Sequence, residues 1–138
     1  MQAGGQDMLE NLEADFPEHK RRASGAPHAL DGIRVVDFSH YLAGPLATMI
    51  LADMGAEVLR IESPTRVDLT RVLPPHVDGV SASHAYLNRN KRCISLDLKQ
   101  PAAVEVVKKL VAEYDIVLEQ FRPGVMDKLG VGYEALKA

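Results

Sequence analysis

The chain has 138 residues, 46% hydrophobic and 25% charged, with a net charge of −3. That is an ordinary globular composition, sized for one domain, and it excludes a global attraction to nucleic acid or an anionic membrane surface. Aromatics at 5% with no Trp exclude a stacking platform for single-stranded nucleic acid, and a lone cysteine, Cys93, excludes an intrachain disulfide and fits a reducing compartment.

Residues 1–29 read as an N-terminal extension and linker. "MLENLEADF" carries a weak helical period at Met8, Leu9, Leu12 and Phe16, and "PEHKRRASGAPH" mixes charge with Ser, Gly and Pro as linkers do. "RRAS" at 21–24 is a kinase-like stretch for which an exposed basic linker is the simpler account. The first residues lack the basic start and apolar run of a secretory signal, and no stretch approaches the ~20 apolar residues of a membrane helix. The expected compartment is the cytoplasm, with no membrane and no nucleic-acid partner.

From Leu30 the pattern changes. "IRVVDF" (33–38) is short and β-branched after Asp31-Gly32, and predicts a strand. "PLATMILADM" (45–54) predicts a helix with Gly44 as N-cap, Pro45 at its first position and Gly55 ending it. Its apolar residues surround it, so burial on more than one face is expected. "AEVLRIE" (56–62) predicts a second strand, making a parallel crossover. Residues 63–84, with Pro64, Pro74, Pro75 and Gly79, read as a long polar loop. "RCISLDL" (92–98) and "DIVLEQF" (115–121) predict two more strands around an amphipathic helix at 101–113. In that helix Val104, Val107, Leu110 and Val111 face one way, and Glu105 is placed to pair with Lys109. Short helical pieces close the chain. The fold class is α/β, a Rossmann-like, mostly parallel sheet with flanking helices. Four strands with two solid helices cover little more than one sheet face, which suggests an incomplete part of a larger domain.

Three stretches can carry chemistry. The turn "DFSHYLAGP" places a helix start and His40 beyond a strand end, where α/β sheets bind ligands. "NRNKRCISLDLK" gathers Arg89, Lys91, Arg92 and Lys99, residues suited to phosphate. "EQFRPGVMDKLG" offers the Phe121 ring with Arg122 and Lys128. Taken singly, each is equally a helix cap, a solvated basic face and an exposed turn; their convergence on one sheet edge raises all three. Glu62 follows the first turn at the distance of a ribose-binding acid, but G-x-G-x-x-G is absent and Pro45 removes a donor, so nicotinamide or flavin binding is disfavoured. One Cys and five scattered His give no metal-ligand spacing, and no serine sits in a nucleophile elbow.

"LDGIRVVDFSHYLAGPLATMILADMGAEVLRIESP", "NRNKRCISLDLK" and "EQFRPGVMDKLGVGYEAL", in that order, resemble the start of class III CoA-transferases, a family that includes formyl-CoA transferase, carnitine CoA-transferase and the related alpha-methylacyl-CoA racemases. The resemblance runs from Leu30 to Leu136, and residues 30–138 are expected to be the N-terminal CoA-binding α/β portion of such an enzyme, truncated or separately encoded. It implies coenzyme A or an acyl-CoA as the ligand, a carboxylic acid as the second substrate, and no metal. Carried over position by position, the residues implied to hold CoA are His40, Leu42, Ala43, Leu96, Lys99, Gln120, Phe121, Val125 and Lys128. It further implies an aspartate that attacks the acyl-CoA carbonyl, then carries CoA as a thioester. That aspartate falls outside the matched stretch, so no catalytic residue is assigned and this chain alone is expected to be inactive. Interlocked homodimers are the family's assembly. A racemase-like fragment and a non-catalytic CoA-binding or oligomerisation fragment stay open as alternatives. Two departures stand out: Ser63 replaces an Arg that can meet the nucleotide, and Val67 replaces a Gly.

Overall fold

The computed structural model describes residues 25–137. The helical period, the basic stretch and most of the linker expected before Gly25 lie outside the described residues.

The larger sheet has four strands: β1 (Arg34–Asp37), β2 (Glu57–Glu62), β5 (Lys91–Ser95) and β6 (Ile116–Leu118), in the order β5-β2-β1-β6. All its pairings are parallel, with Val35 opposite Val58 on one side and Ile116 on the other. The expected α/β class and parallel sheet are therefore present. Adjacent side chains of a strand point to opposite faces, and the Val-Val pair of β1 uses both. Val35 packs with Ala52, Ala56 and Val58, beneath helix α1 (Ala43–Asp53). Val36 packs with Phe38, Ile61 and Val107 on the other face, beneath helix α3 (Pro101–Val111). The two long helices thus sit on opposite faces, so each face receives one helix; the expectation that they would cover little more than one face is corrected. The cover is thin nonetheless. Leu42, Leu46, Ile50 and Met54 run along the outer side of α1 and are 53%, 37%, 48% and 42% exposed, so this helix is buried on one side only, against expectation.

The strand bounds are shorter than the sequence suggests. β5 stops at Ser95 because Asp97 to Gln100 forms a turn, and β6 stops at Leu118, whose carbonyl accepts from Phe38 N–H at 2.9 Å. On α3, Glu105 pairs with Lys108 at 3.0 Å rather than with Lys109. Residues 63–84 are not one loop. A 3₁₀ turn (Leu69–Val72) starts where Asp68 Oδ1 accepts from Thr70 N–H. A two-residue hairpin follows, β3 (His76–Val77) against β4 (Val80–Ser81), turning through Asp78 and Gly79 at φ of 50° and 79°. Helix α2 (Ala82–Leu87) comes next, with Ser81 Oγ accepting from His84 N–H at 3.4 Å. The Asp-Gly pair was a readable hairpin signal; the six-residue helix has no apolar period to announce it. Short helices α4 (Val125–Lys128) and α5 (Tyr133–Leu136) end the described chain, as expected.

Candidate functional site

Parallel strands bring their C-terminal ends to one rim. There the segments after β1, β2, β5 and β6 surround a hollow of about 730 Å³. Phe38, Ile61, Leu96, Leu98 and Leu129 give it an apolar surface continuous with the core under α3. His40 and Phe121 meet across it, ring centroids 5.0 Å apart and tilted by 57°.

The walls are tied together by residues distant in sequence. Gln120 Nε2 donates to the His40 carbonyl, and Gln120 Oε1 accepts from Gly44 N–H at 3.0 Å. This corrects the expected helix start: α1 begins at Ala43, two residues before Pro45, with Gly44 inside its first turn. A side chain beyond strand β6 satisfies the amide that a local cap would have served. Glycine suits position 44, since a Cβ there would run into the Ser39 side chain and lie 2.6 Å from Gln120 Oε1, and one of the two would have to shift.

Beneath the rim lies a buried polar chain. Asp37 accepts from Ser39 N–H at 2.8 Å and from Thr48 Oγ1 at 2.6 Å, and Lys91 Nζ is 3.3 Å away. Lys91 also donates to the Pro45 carbonyl at 2.8 Å and to Thr48 Oγ1 at 2.7 Å. Arg60, 1% exposed, reaches Asn88 Oδ1 at 2.5 Å and pairs with Asp68. Asp68 accepts further from Thr70 N–H and Oγ1, both at 2.8 Å, and from Tyr41 N–H at 3.2 Å, which holds Tyr41 at φ 71°. His84 Nδ1 lies 2.9 Å from Thr70 Oγ1 and 3.3 Å from Asn88 Nδ2, so the ring is held between the two side chains. Burial alone would raise the Asp68 pKa, but the hydrogen bonds from Thr70, Arg60 and Tyr41 outweigh it and hold it at about 2. Burial lowers the His84 pKa, reinforced by the charges of Arg71 and Arg60. Burial likewise lowers the Lys91 pKa, opposed by Asp37. Cys93 lies exposed on the edge strand β5.

This chain decides which cations are available. Of the basic stretch singled out in the sequence, Arg89 pairs with Asp53, Lys91 with Asp37 and Arg92 with Glu57. Three of its four cations are structural, and only Lys99 stays without a carboxylate. Arg66, Lys109, Arg122 and Lys128 share that state among the described residues, and Arg66 and Arg122 line the hollow with Lys99 while Lys109 lines neither hollow. Lys128 lines a second, more open hollow of about 500 Å³, to which Lys99, Leu98 and Leu129 also belong.

Of the nine residues implied to hold a ligand, His40, Leu96, Lys99, Gln120, Phe121 and Val125 line the first hollow and Lys128 the second. Leu42 and Ala43 line neither; both are exposed at the start of α1. Sequence reading missed Arg66, because nothing in an isolated arginine tells whether a carboxylate will find it. It also missed the Arg60–Asp68 pair, although Asp-x-Thr at 68–70 is a readable capping pattern. Among the described residues no group of His, Cys, Asp and Glu could hold a metal ion, and no helix is long and apolar enough to cross a membrane.

The model of CoA-transferase family III matches residues 30–138. The chain belongs to CoA-transferase family III. Within that family it is similar to the mouse succinyl-CoA:glutarate CoA-transferase, 43% identical over 106 residues, which are 76% of this chain and 24% of that protein. It is also similar to the formyl-CoA:oxalate CoA-transferase of a Bradyrhizobium species, 40% identical over 111 residues, 80% of this chain and 26% of the relative. A CaiB/BaiF family protein from Brucella suis has the same fold, with a TM-score of 0.74 and 41% identity over 81% of this chain and 31% of its own. The chain therefore spans about a quarter of the length of the curated relatives it matches.

Proposed function

We propose that this chain forms the coenzyme A-binding part of an acyl-CoA:carboxylate CoA-transferase. What carries the reading is convergence. Six residues implied by the family resemblance, scattered from the first strand end to α4, line one hollow that also holds unpaired cations. CoA needs both an apolar wall for its adenine and cations for its phosphates. The ring pair His40–Phe121 supplies a flat surface, and Lys99, Arg122 and Arg66 supply charge. The relatives named above transfer CoA between carboxylates, which favours a transferase over a racemase. NAD fits less well, since Pro45 and a single glycine leave few backbone donors for its diphosphate.

In the reaction, CoA is anchored by its nucleotide end while a carboxylate elsewhere attacks the acyl carbonyl. The acyl–sulfur bond breaks as a mixed anhydride forms and the CoA thiolate leaves; the thiolate then attacks the enzyme-side carbonyl of that anhydride, expelling the donor acid as its carboxylate and leaving an enzyme-bound CoA thioester. Four aspartates of the chain are engaged differently: Asp37 and Asp68 are buried acceptors, Asp53 pairs with Arg89, and Asp97 accepts from Lys99 N–H at 3.1 Å. In line with the family resemblance, we assign the nucleophile to residues outside these 138, in an enzyme that works as an interlocked homodimer. This stretch positions the substrate.

Calorimetric titration tests the assignment. Saturable binding of CoA is expected, with none for NAD at the same concentration. Lys99→Ala should weaken CoA several-fold at low salt and less at high salt, because an exposed cation–phosphate contact is screened. Transfer assays on the chain alone should show no turnover. Absence of CoA binding would refute the site; measured turnover would refute the placement of the nucleophile.

A further inference from the structure

Coenzyme A in this hollow must have its charge met at two points. Its diphosphate bridge carries one negative charge on each phosphorus. Its ribose carries a terminal monoester, which holds close to two charges at neutral pH and three exposed oxygens. The unpaired cations that line the two hollows divide in the same way. Lys99, Arg122 and Lys128 come from the segments after β5 and β6, with Lys99 shared by both hollows. Arg66 comes from another loop, the one after β2.

We infer that Arg66, presented by a Ser63-centred turn, holds the ribose phosphate monoester, leaving the diphosphate to the cations around Lys99. The inference rests on the CoA reading above. Ser63 Oγ accepts from Thr65 N–H at 3.3 Å and from Arg66 N–H at 3.2 Å, and lies 3.2 Å from Thr65 Oγ1. The turn sets the backbone of Arg66. When one of the two hydroxyls donates to the other, the second keeps its own hydrogen unspent. Ser63, Thr65 and Arg66 all line the hollow. A guanidinium fork and a hydroxyl are the donor set for a monoester, two oxygens to the fork and one to the hydroxyl; of the two arginines lining the hollow, Arg66 has hydroxyls on its own turn, whereas Arg122 sits in a segment (119–128) without Ser or Thr. No nearby acid takes Arg66. Glu62 Oε2 is held by Arg71 at 2.9 Å and its Oε1 lies 3.3 Å from Arg60, while Asp68 is committed to Arg60 and Thr70. Asp68 also anchors the loop two residues beyond Arg66, so the guanidinium is borne on a braced segment.

The test compares CoA with dephospho-CoA, which lacks only the ribose monoester, on the unsubstituted protein and on Arg66→Ala, Lys99→Ala and Ser63→Ala. Arg66 is exposed and unpaired, so its removal should leave the melting temperature unchanged. The unsubstituted protein should prefer CoA to dephospho-CoA by on the order of tenfold, the value of a charge-assisted contact. Arg66→Ala should abolish that preference by weakening CoA alone, and Ser63→Ala should reduce it. Lys99→Ala should weaken both ligands equally. Equal loss of both ligands in Arg66→Ala, unchanged CoA affinity in that variant, or no preference in the unsubstituted protein would overturn the assignment while the CoA reading stands. Failure of the unsubstituted protein to bind CoA at all would overturn that reading, and the assignment with it.

Discussion

Asp68 holds three segments of chain at once: its own 3₁₀ turn through Thr70, strand β2 through Arg60, and the turn after β1 through Tyr41 N–H. A buried carboxylate so placed is stabilising only while ionised. Its pKa falls from the ordinary carboxylate value to about 2 on folding, so its contribution is full above pH ~4 and is lost as pH drops from ~4 through ~2. The shift is worth roughly 2 kcal/mol. Asp68→Asn should cost about that much at pH 7 and little at pH 2, because the protonated acid has already forfeited the difference. Urea titration at the two pH values checks this; an equal loss at both would mean that shape rather than charge matters at residue 68. Removing Arg60 instead would leave Asp68 with the hydrogen bonds of Thr70 and Tyr41 but without its buried counter-ion. At the same scale, sequence could name Lys99 but not its exclusivity. Lys91 and Lys99 look alike in the chain, and only the contact between Lys91 and Asp37, 54 residues apart, separates a structural lysine from a free one.

Among the elements, α1 shows most clearly how long-range contacts move a boundary. Local rules place its start at Pro45 with Gly44 as cap. The helix begins two residues earlier because Gln120, just beyond β6, serves the Gly44 amide. The same contact fixes the His40 carbonyl and so couples the rim after β1 to the rim after β6. Gly44→Ala should therefore act on the rim as well as on stability. The added methyl would strike the Ser39 side chain and Gln120 Oε1, an overpacking expected to cost about 1–3 kcal/mol. Denaturant titration measures the loss, and a variant as stable as the parent would show that Ser39 and Gln120 can give way. Residues 63–84 show the opposite limit. Their 3₁₀ turn, hairpin and short α2 are each too small to impose a period on the sequence, and they stand because Asp68, Thr70, Ser81 and His84 are buried and paired.

For the molecule as a whole, the sheet divides the interior into two layers with little in common. Val58 lies in the layer beneath α1 and Val107 in the layer beneath α3, at 1% and 0% exposure. Each Val→Ala change deletes two buried methyl groups, worth about 2 kcal/mol with the cavity left behind. Since the two side chains share no packing partner, the double variant should lose the sum within ~0.5 kcal/mol. A double-variant cycle read by urea unfolding decides it; strong coupling would mean that the sheet transmits strain from one layer to the other. The rim hollow opens from the α3 side, with Phe38 and Ile61 common to it and to that layer's core. Ligand binding is thereby seated on the better-filled layer, while the outer side of α1 stays apolar and uncovered.

The sequence by itself determined the fold class, the order of strands and long helices, and that the turn after β1, the end of the basic stretch from Leu96 to Lys99 and the segment after β6 meet at one rim. It could do so because alternation, helical period and turn residues act over a few positions. The family motifs likewise picked six residues that prove to share a hollow. Only the tertiary structure decided which charges are free, where α1 begins, what residues 63–84 do, and that Leu42 and Ala43 stand outside the hollow. The reason is physical: a cation is available to a ligand only if no carboxylate reaches it. Whether one does depends on side chains that the chain topology brings within about 4 Å from tens of residues away, and no local pattern records that distance.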